Sequence, residues 1–280
     1  MEGSSGKSFK VLPASRGMAW LRQSFAILRL QAGRLLFLAV LMQMIVSLVQ
    51  VPILGLLILL SVPGLNAGIL EAFHQAGRGQ PPGMNTLFTP LASNQHRSRF
   101  FLMGGLILLI SIICVSFVLG STTQIDEALL IRLQEGDMAA LEELDPTFMT
   151  RLMAAFLLSI AISGTLTFFS IPLVWFLNHK LGRSIGVGLK ALMANWKPML
   201  SLGLVLLAVF LPVSLLMMLF MQLALAGGIV GTLGMGLVMM VVLLFQLLLF
   251  GTQYCSFREI FGLTADETAE PGDQGDQLVA

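Results

Sequence analysis

Charge is what this sequence has least of. Only 11% of its 280 residues are Asp, Glu, Lys or Arg, against about 25% in an average soluble domain. Hydrophobic residues make up 56%, and mean hydropathy is +0.88. A water-soluble fold has too little interior to hide that much Leu, Ile, Val, Phe and Met, so the solvent for most of the chain is lipid. A formal net charge of +1 excludes a nucleic-acid binder that works by bulk charge. Two cysteines and three histidines are too few for a disulfide framework or a multi-ligand metal centre. No cofactor is implied.

Six apolar runs are long enough to cross a hydrocarbon core, which takes about 20 helical residues at about 1.5 Å each. They lie near 35–50, 53–73, 100–120, 148–177, 199–225 and 229–253. Val51-Pro52 splits the first two into a tight hairpin, Asp145-Pro146 starts the fourth, and Gly227-Gly228 separates the last two. The expected fold is all-α, a polytopic bundle of six transmembrane helices spanning 35–253. A segment over 1–34 precedes it and a tail over 254–280 follows, with no fold expected beyond about 264 because that stretch is acidic and aperiodic. The first apolar run starts only after residue 34 and a second follows at once, so the N-terminus should be retained rather than cleaved as a signal.

Basic residues flank alternate spans. Lys7, Lys10, Arg16, Arg22, Arg29 and Arg34 precede the first, Arg78, Arg97 and Arg99 lie between the second and third, Lys180, Arg183, Lys190 and Lys197 between the fourth and fifth, and Arg258 follows the sixth. Only Arg132 and Arg151 fall on the other side, so the positive-inside bias predicts both termini in the cytoplasm. Trp20, Trp175, Trp196 and Tyr254 are expected at the same interface as amphipathic anchors. The external loop over 121–150 carries seven acids against Arg132 and reads as a solvated face with short surface helices, a cation or partner site being the alternative.

Ionisable side chains inside spans usually mark function, and here they are nearly absent. Glu71 and His74 close the second span at a spacing that shares one helical face. That is half of a di-iron pattern without its other half, so a hydrated helix end is the simpler reading. Many serines lie in the spans without a His and an acid at matching depth; they are expected to bond between helices. Ser61-Val62-Pro63-Gly64 followed by Asn66, and Leu211-Pro212, predict breaks in the second and fifth spans, and broken helices build midplane sites in some transporters. Pro63, Asn66 and Pro212 are therefore the candidate midplane site. Gly64-x-x-x-Gly68 and Gly227-x-x-x-Gly231 permit close helix approach, within the bundle or between copies.

Two basic amphipathic segments precede membrane hairpins. In 181–197, Leu181, Ile185, Leu189, Leu192 and Trp196 share an arc opposite Arg183, Lys190 and Lys197. In 15–34, Met18, Leu21, Phe25, Leu28 and Ala32 share a face, with Arg16 and Arg34 across from it and Arg22 and Arg29 beside it. Such helices lie in the interface plane with their cations toward anionic headgroups. These seven cations are the candidate lipid-headgroup contacts. A shift of 164 positions aligns Leu21 with Ile185, Phe25 with Leu189 and Gln31 with Asn195, which suggests a degenerate internal repeat.

Pro13-Ala14-x-Arg16-Gly17-x-x-Trp20-Leu21-x-Gln23-x-Phe25, Gly68-x-x-x-Ala72 to Gly79-x-Pro81, Asn195-Trp196 and Tyr254-x-Ser256-Phe257-Arg258-Glu259-Ile260-Phe261 resemble, as an ordered set over roughly 11–262, a proteobacterial family of six-span inner-membrane proteins of unknown function. More distantly the chain is similar to the membrane domain attached to some glycerophosphodiesterases, without room for their catalytic domain. The resemblance implies the architecture and supplies no catalytic or binding residues. Together these features support a non-enzymatic inner-membrane protein that organises lipids or assists membrane partners, the expected partners being anionic lipids and a membrane protein or second copy. A small permease is the alternative.

Overall fold

The computed structural model describes residues 9–51, 53–119, 132, 146–225 and 227–263. The acidic loop with its expected surface helices, the capping Asp145 and the tail from 264 lie outside the described residues.

Among the described residues ten α-helices follow in order: α1 Arg16–Leu30, α2 Ala32–Ser47, α3 Leu54–Gly77, the short α4 Thr89–Ala92, α5 Asn94–Leu119, α6 Pro146–Thr167, α7 Ser170–Phe176, α8 Leu181–Ala194, α9 Trp196–Leu225 and α10 Gly228–Phe261. Six stretches of the described residues are long and apolar enough to span a bilayer: Ala32–Gln50, Leu54–Gly77, Asn94–Val118, Thr147–Phe176, Trp196–Leu225 and Gly228–Phe261. No strand occurs among the described residues. In hydrocarbon every backbone N–H and C=O has to be satisfied inside its own segment, which is why these apolar runs are helical.

Both prolines sit inside uninterrupted helices, Pro63 in α3 and Pro212 in α9. This corrects the expected breaks. Each proline removes one N–H donor, but the neighbouring turns keep their bonds because lipid offers them no other partner. A real interruption falls instead at Phe168-Phe169, between α6 and α7.

The helices pack as two long hairpins, α5 with α6 and α9 with α10, joined through α3, which touches α2, α5, α7 and α10. Burial is uneven. The largest fully buried side chains include Trp20, Phe73, Phe169, Tyr254 and Phe257, all near one end of the bundle. At the other extreme, none of the most apolar 18-residue stretch of α9 is buried. Lipid is as apolar as these side chains, so exposing them there costs nothing.

Several contacts tie both described chain ends to that same end. Lys10 N–H donates to Ile260 C=O at 2.7 Å. Gly64 faces the Leu91 side chain and Gly68 the Leu87 backbone, while Gly231 and Gly234 face Ala224. These small residues therefore serve packing within the chain. Of the span serines, Ser111 and Ser159 pair across helices at 2.7 Å. Ser47, Ser61, Ser170 and Ser214 instead bond back to carbonyls of their own helical turns.

The suggested repeat has a structural counterpart. With the shift of 164, the end of α1 at Leu30 coincides with the end of α8 at Ala194, and the starts of α2 and α9 coincide at Ala32 and Trp196. The buried positions Trp20, Ser24 and Ile27 of α1 match the buried Ser184, Gly188 and Ala191 of α8.

Candidate functional site

The polar residues of the bundle gather at the end that carries residues 10–16 and 254–263. Arg16 Nη2 donates to Glu259 Oε2 at 2.9 Å, with Nε 2.6 Å from Oε1 as the accompanying ion pair. Trp20 Nε1 donates to the same Oε2 at 2.7 Å. The hydrogen bond to Glu259 raises the Arg16 pKa above its ordinary value, against the opposing effect of burial, so Arg16 stays a cation. Asn195, fully buried, accepts from Leu12 N–H at 2.9 Å and donates through Nδ2 to Lys10 C=O and Ala191 C=O, both at 3.0 Å.

Glu71 and His74 diverge. Glu71 accepts from Gln75 Nε2 at 3.0 Å and from Trp175 Nε1 at 2.9 Å, while His74 Nδ1 is hydrogen-bonded to Tyr254 Oη at 3.0 Å. His74 is only 5% exposed, which corrects the reading of a hydrated helix end. The pair holds separate neighbours, α7 on one side and α10 on the other. Among the described residues, no three His, Cys, Asp or Glu side chains lie close enough to hold a metal ion. Arg99 Nη1 donates to Asn178 C=O, Asn178 Oδ1 and His179 C=O at 2.6–3.2 Å, fixing the turn that leads to α8. Burial first, and Arg183 second, lower the His179 pKa below its ordinary value.

Two of the four expected interface aromatics are core residues instead. Trp20 is 0% and Tyr254 1% exposed, whereas Trp196 is 57% exposed. The polar atoms of Trp20 and Tyr254 find protein partners in Glu259 and His74, so neither ring needs the headgroup region.

Pro63 is buried in α3, and Asn66 lies one turn on with its Oδ1 buried and unpaired. Pro212 is exposed on α9, which makes no extensive contact with α3. The structure therefore brings Pro63 and Asn66 together and leaves Pro212 apart.

The seven candidate headgroup cations separate similarly. Arg16 turns inward to Glu259, while Arg22, Arg29, Arg34, Arg183, Lys190 and Lys197 are exposed. On α8 the protein-facing residues are Ser184, Gly188 and Ala191. Ile185 and Leu189 lie beside them half-buried, and Arg183 and Lys190 are on the far side. Such a helix presents one face to protein, one apolar flank and one cationic face. On α1 the expected apolar face is divided: Leu28 packs inward with Gly17, Trp20, Ser24 and Ile27, while Met18 and Phe25 are exposed. Arg16 meets Glu259, Ser24 Oγ donates to Leu248 C=O at 3.1 Å, and Ile27 lies beside Gly77, so α1 packs against α10 and the end of α3.

Sequence reasoning missed Glu259 and Asn195 as the fixed points of this end. Replacing Glu259 by Gln removes the charge that receives both Arg16 and Trp20. Bonds to charged groups contribute about 1.5–3 kcal/mol when buried, and this site is partly exposed, so a loss of about 2 kcal/mol is expected in thermal melts. A double-mutant cycle with Arg16→Gln checks it: additive losses would mean the pair is not coupled.

No family model, curated protein or solved structure matches this chain.

Proposed function

We propose that this chain is a multi-pass protein of a bacterial inner membrane, as the family it resembles would be, with both termini cytoplasmic. Its role is to organise anionic lipids at its basic end, without catalysis of its own. The observation that carries the reading is the separation of roles among the cations. Arg16 is spent inside the fold, while Arg22, Arg29, Arg34, Arg183, Lys190 and Lys197 remain on exposed faces. The exposed apolar surfaces of α5, α6 and α9 suit hydrocarbon, which supports a membrane-surface role for the exposed cations.

The test is lipid enrichment around the full chain in nanodiscs of mixed phosphatidylglycerol and phosphatidylcholine. Each cation near an anionic surface is worth about 1 kcal/mol. Changing Arg183, Lys190 and Lys197 together to Gln should therefore remove most of a preference for phosphatidylglycerol that weakens with salt. An unchanged preference overturns the reading. Orientation is checked separately with single cysteines at Ser4, Ala140 and Asp276 in a variant lacking the native two. An impermeant thiol reagent applied to intact cells should label position 140 alone, and labelling of either terminus would reverse the topology.

A further inference from the structure

Between α1, α9 and α10 lies an apolar groove of about 510 Å³, lined by Leu21, Arg22, Phe25 and Leu28 from α1, Val209, Val213 and Leu216 from α9, and Val241 to Leu248 positions of α10. That volume is within the range of small-molecule sites, about 300–1,000 Å³. Three observations give the groove a direction. Gly17 packs on the backbone of Pro198 to Leu202 at the start of α9, and Leu21 to Leu28 line the groove with Val209 to Leu216, so α1 follows α9 in the same sense. Arg22 precedes Phe25 and Leu28 on α1 and thus stands at the mouth nearest the basic end. From Val209 to Leu216 the lining descends α9 by about 10 Å, away from that mouth and without another charged group.

The mouth is electrically unfinished. Arg22 is exposed, and no ion pair or hydrogen bond engages it among the described residues. Arg29, two turns along α1, holds its guanidinium 5.8 Å from the centre of the Phe25 ring and does not line the groove, which leaves Arg22 as the charge at its mouth. A cation at the entrance of an apolar slot that descends toward the membrane interior fits one kind of occupant: an amphiphile with an anionic head and a hydrocarbon tail.

We propose that this groove seats one acyl chain of an anionic glycerophospholipid, with the lipid phosphate held by Arg22. The proposal rests on the lipid-organising reading above and deepens it, from a basic surface that attracts headgroups in bulk to a defined seat for one molecule.

The test uses the full chain in phosphatidylcholine nanodiscs containing a small fraction of phosphatidylglycerol that bears a diazirine on one acyl chain. After irradiation, adducts are mapped by peptide mass spectrometry. They are expected on 209–216 and 241–248, well above those on the exposed α5 residues Leu109, Ile112 and Ile113. Val213→Trp, which fills the slot, should abolish the groove adducts. Leu216→Phe, a milder filling, should reduce them, so that a misfolded tryptophan variant does not decide the matter. Arg22→Gln should lower the yield with the phosphatidylglycerol probe about fivefold and leave the yield with a phosphatidylcholine probe unchanged. Adducts spread evenly over α5, α6 and α9 would overturn the proposal in favour of ordinary boundary lipid. A dimer that dissociates in Val213→Trp would overturn it in favour of a second copy as the occupant. If the groove adducts fail while the charge preference set by Arg183, Lys190 and Lys197 persists, only the seat is wrong; loss of both removes the lipid-organising reading as well.

Discussion

Gly17→Leu is expected to detach α1 from the bundle. A Cβ at Gly17 would lie 2.5 Å from Leu202 N, 2.7 Å from Pro198 O and 3.0 Å from Ser201 C. All three are backbone atoms of the start of α9, so no side-chain rotation relieves the clash. Overpacking of this kind costs about 1–3 kcal/mol, occasionally more. Here the displacement also pulls Trp20 and Arg16 away from Glu259, which puts the total loss at several kcal/mol. Thermal melts of the purified chain should show it, together with new proteolysis between residues 9 and 30. Gly33→Leu is the control, because a Cβ there meets nothing within 4 Å and leucine is the better helix former. Equal melting of the two variants would show that the close approach of α1 to α9 contributes nothing.

Why the spans were legible and the polar end was not follows from the range of the interactions involved. An apolar run declares itself locally, since twenty residues without charge admit one solution in lipid. The hairpin at Val51 and the separation of the last two spans at Gly227-Gly228 were readable for the same reason. The partners of Trp20, Tyr254 and Asn195 lie 239, 180 and 183 positions away in the chain. No periodicity within a span signals such a pairing. An aromatic with a polar atom next to a span looks alike whether its partner is a headgroup or Glu259. The same limit hid the extension of α10 through Arg258 to Phe261, where Tyr254, Cys255, Ser256 and Phe257 are buried by protein rather than by lipid. It also hid the protein contacts of α1, which the small Gly17 and Ser24, against α9 and α10, reveal.

Asn195 offers the sharper probe of that polar end, because isosteric substitution separates shape from charge. Asn195→Ala would leave the part-buried Leu12 N–H and Lys10 C=O without their partner, at about 1 kcal/mol each. Asn195→Asp keeps the shape and the acceptor for Leu12. It turns the donor that faces Lys10 C=O and Ala191 C=O into a second oxygen, so an ionised carboxylate would be buried against two carbonyls. At neutral pH the aspartate variant should therefore melt below the alanine variant, despite being the closer copy. Burial and the carbonyls raise the pKa of that carboxyl in the folded state above its unfolded value of about 4. The penalty is then present at neutral pH and shrinks as pH falls through the folded-state value, because the protonated acid can donate again. Hydrogen exchange should report the same order, with residues 10–17 losing protection first, since Lys10 N–H to Ile260 and Leu12 N–H to Asn195 are their anchors. An aspartate variant as stable as the native chain at pH 7 would mean that Asn195 is a spacer between α8 and α9. One that recovers on acidification would identify its amide hydrogens as the clasp that holds the N-terminal strap to the basic end.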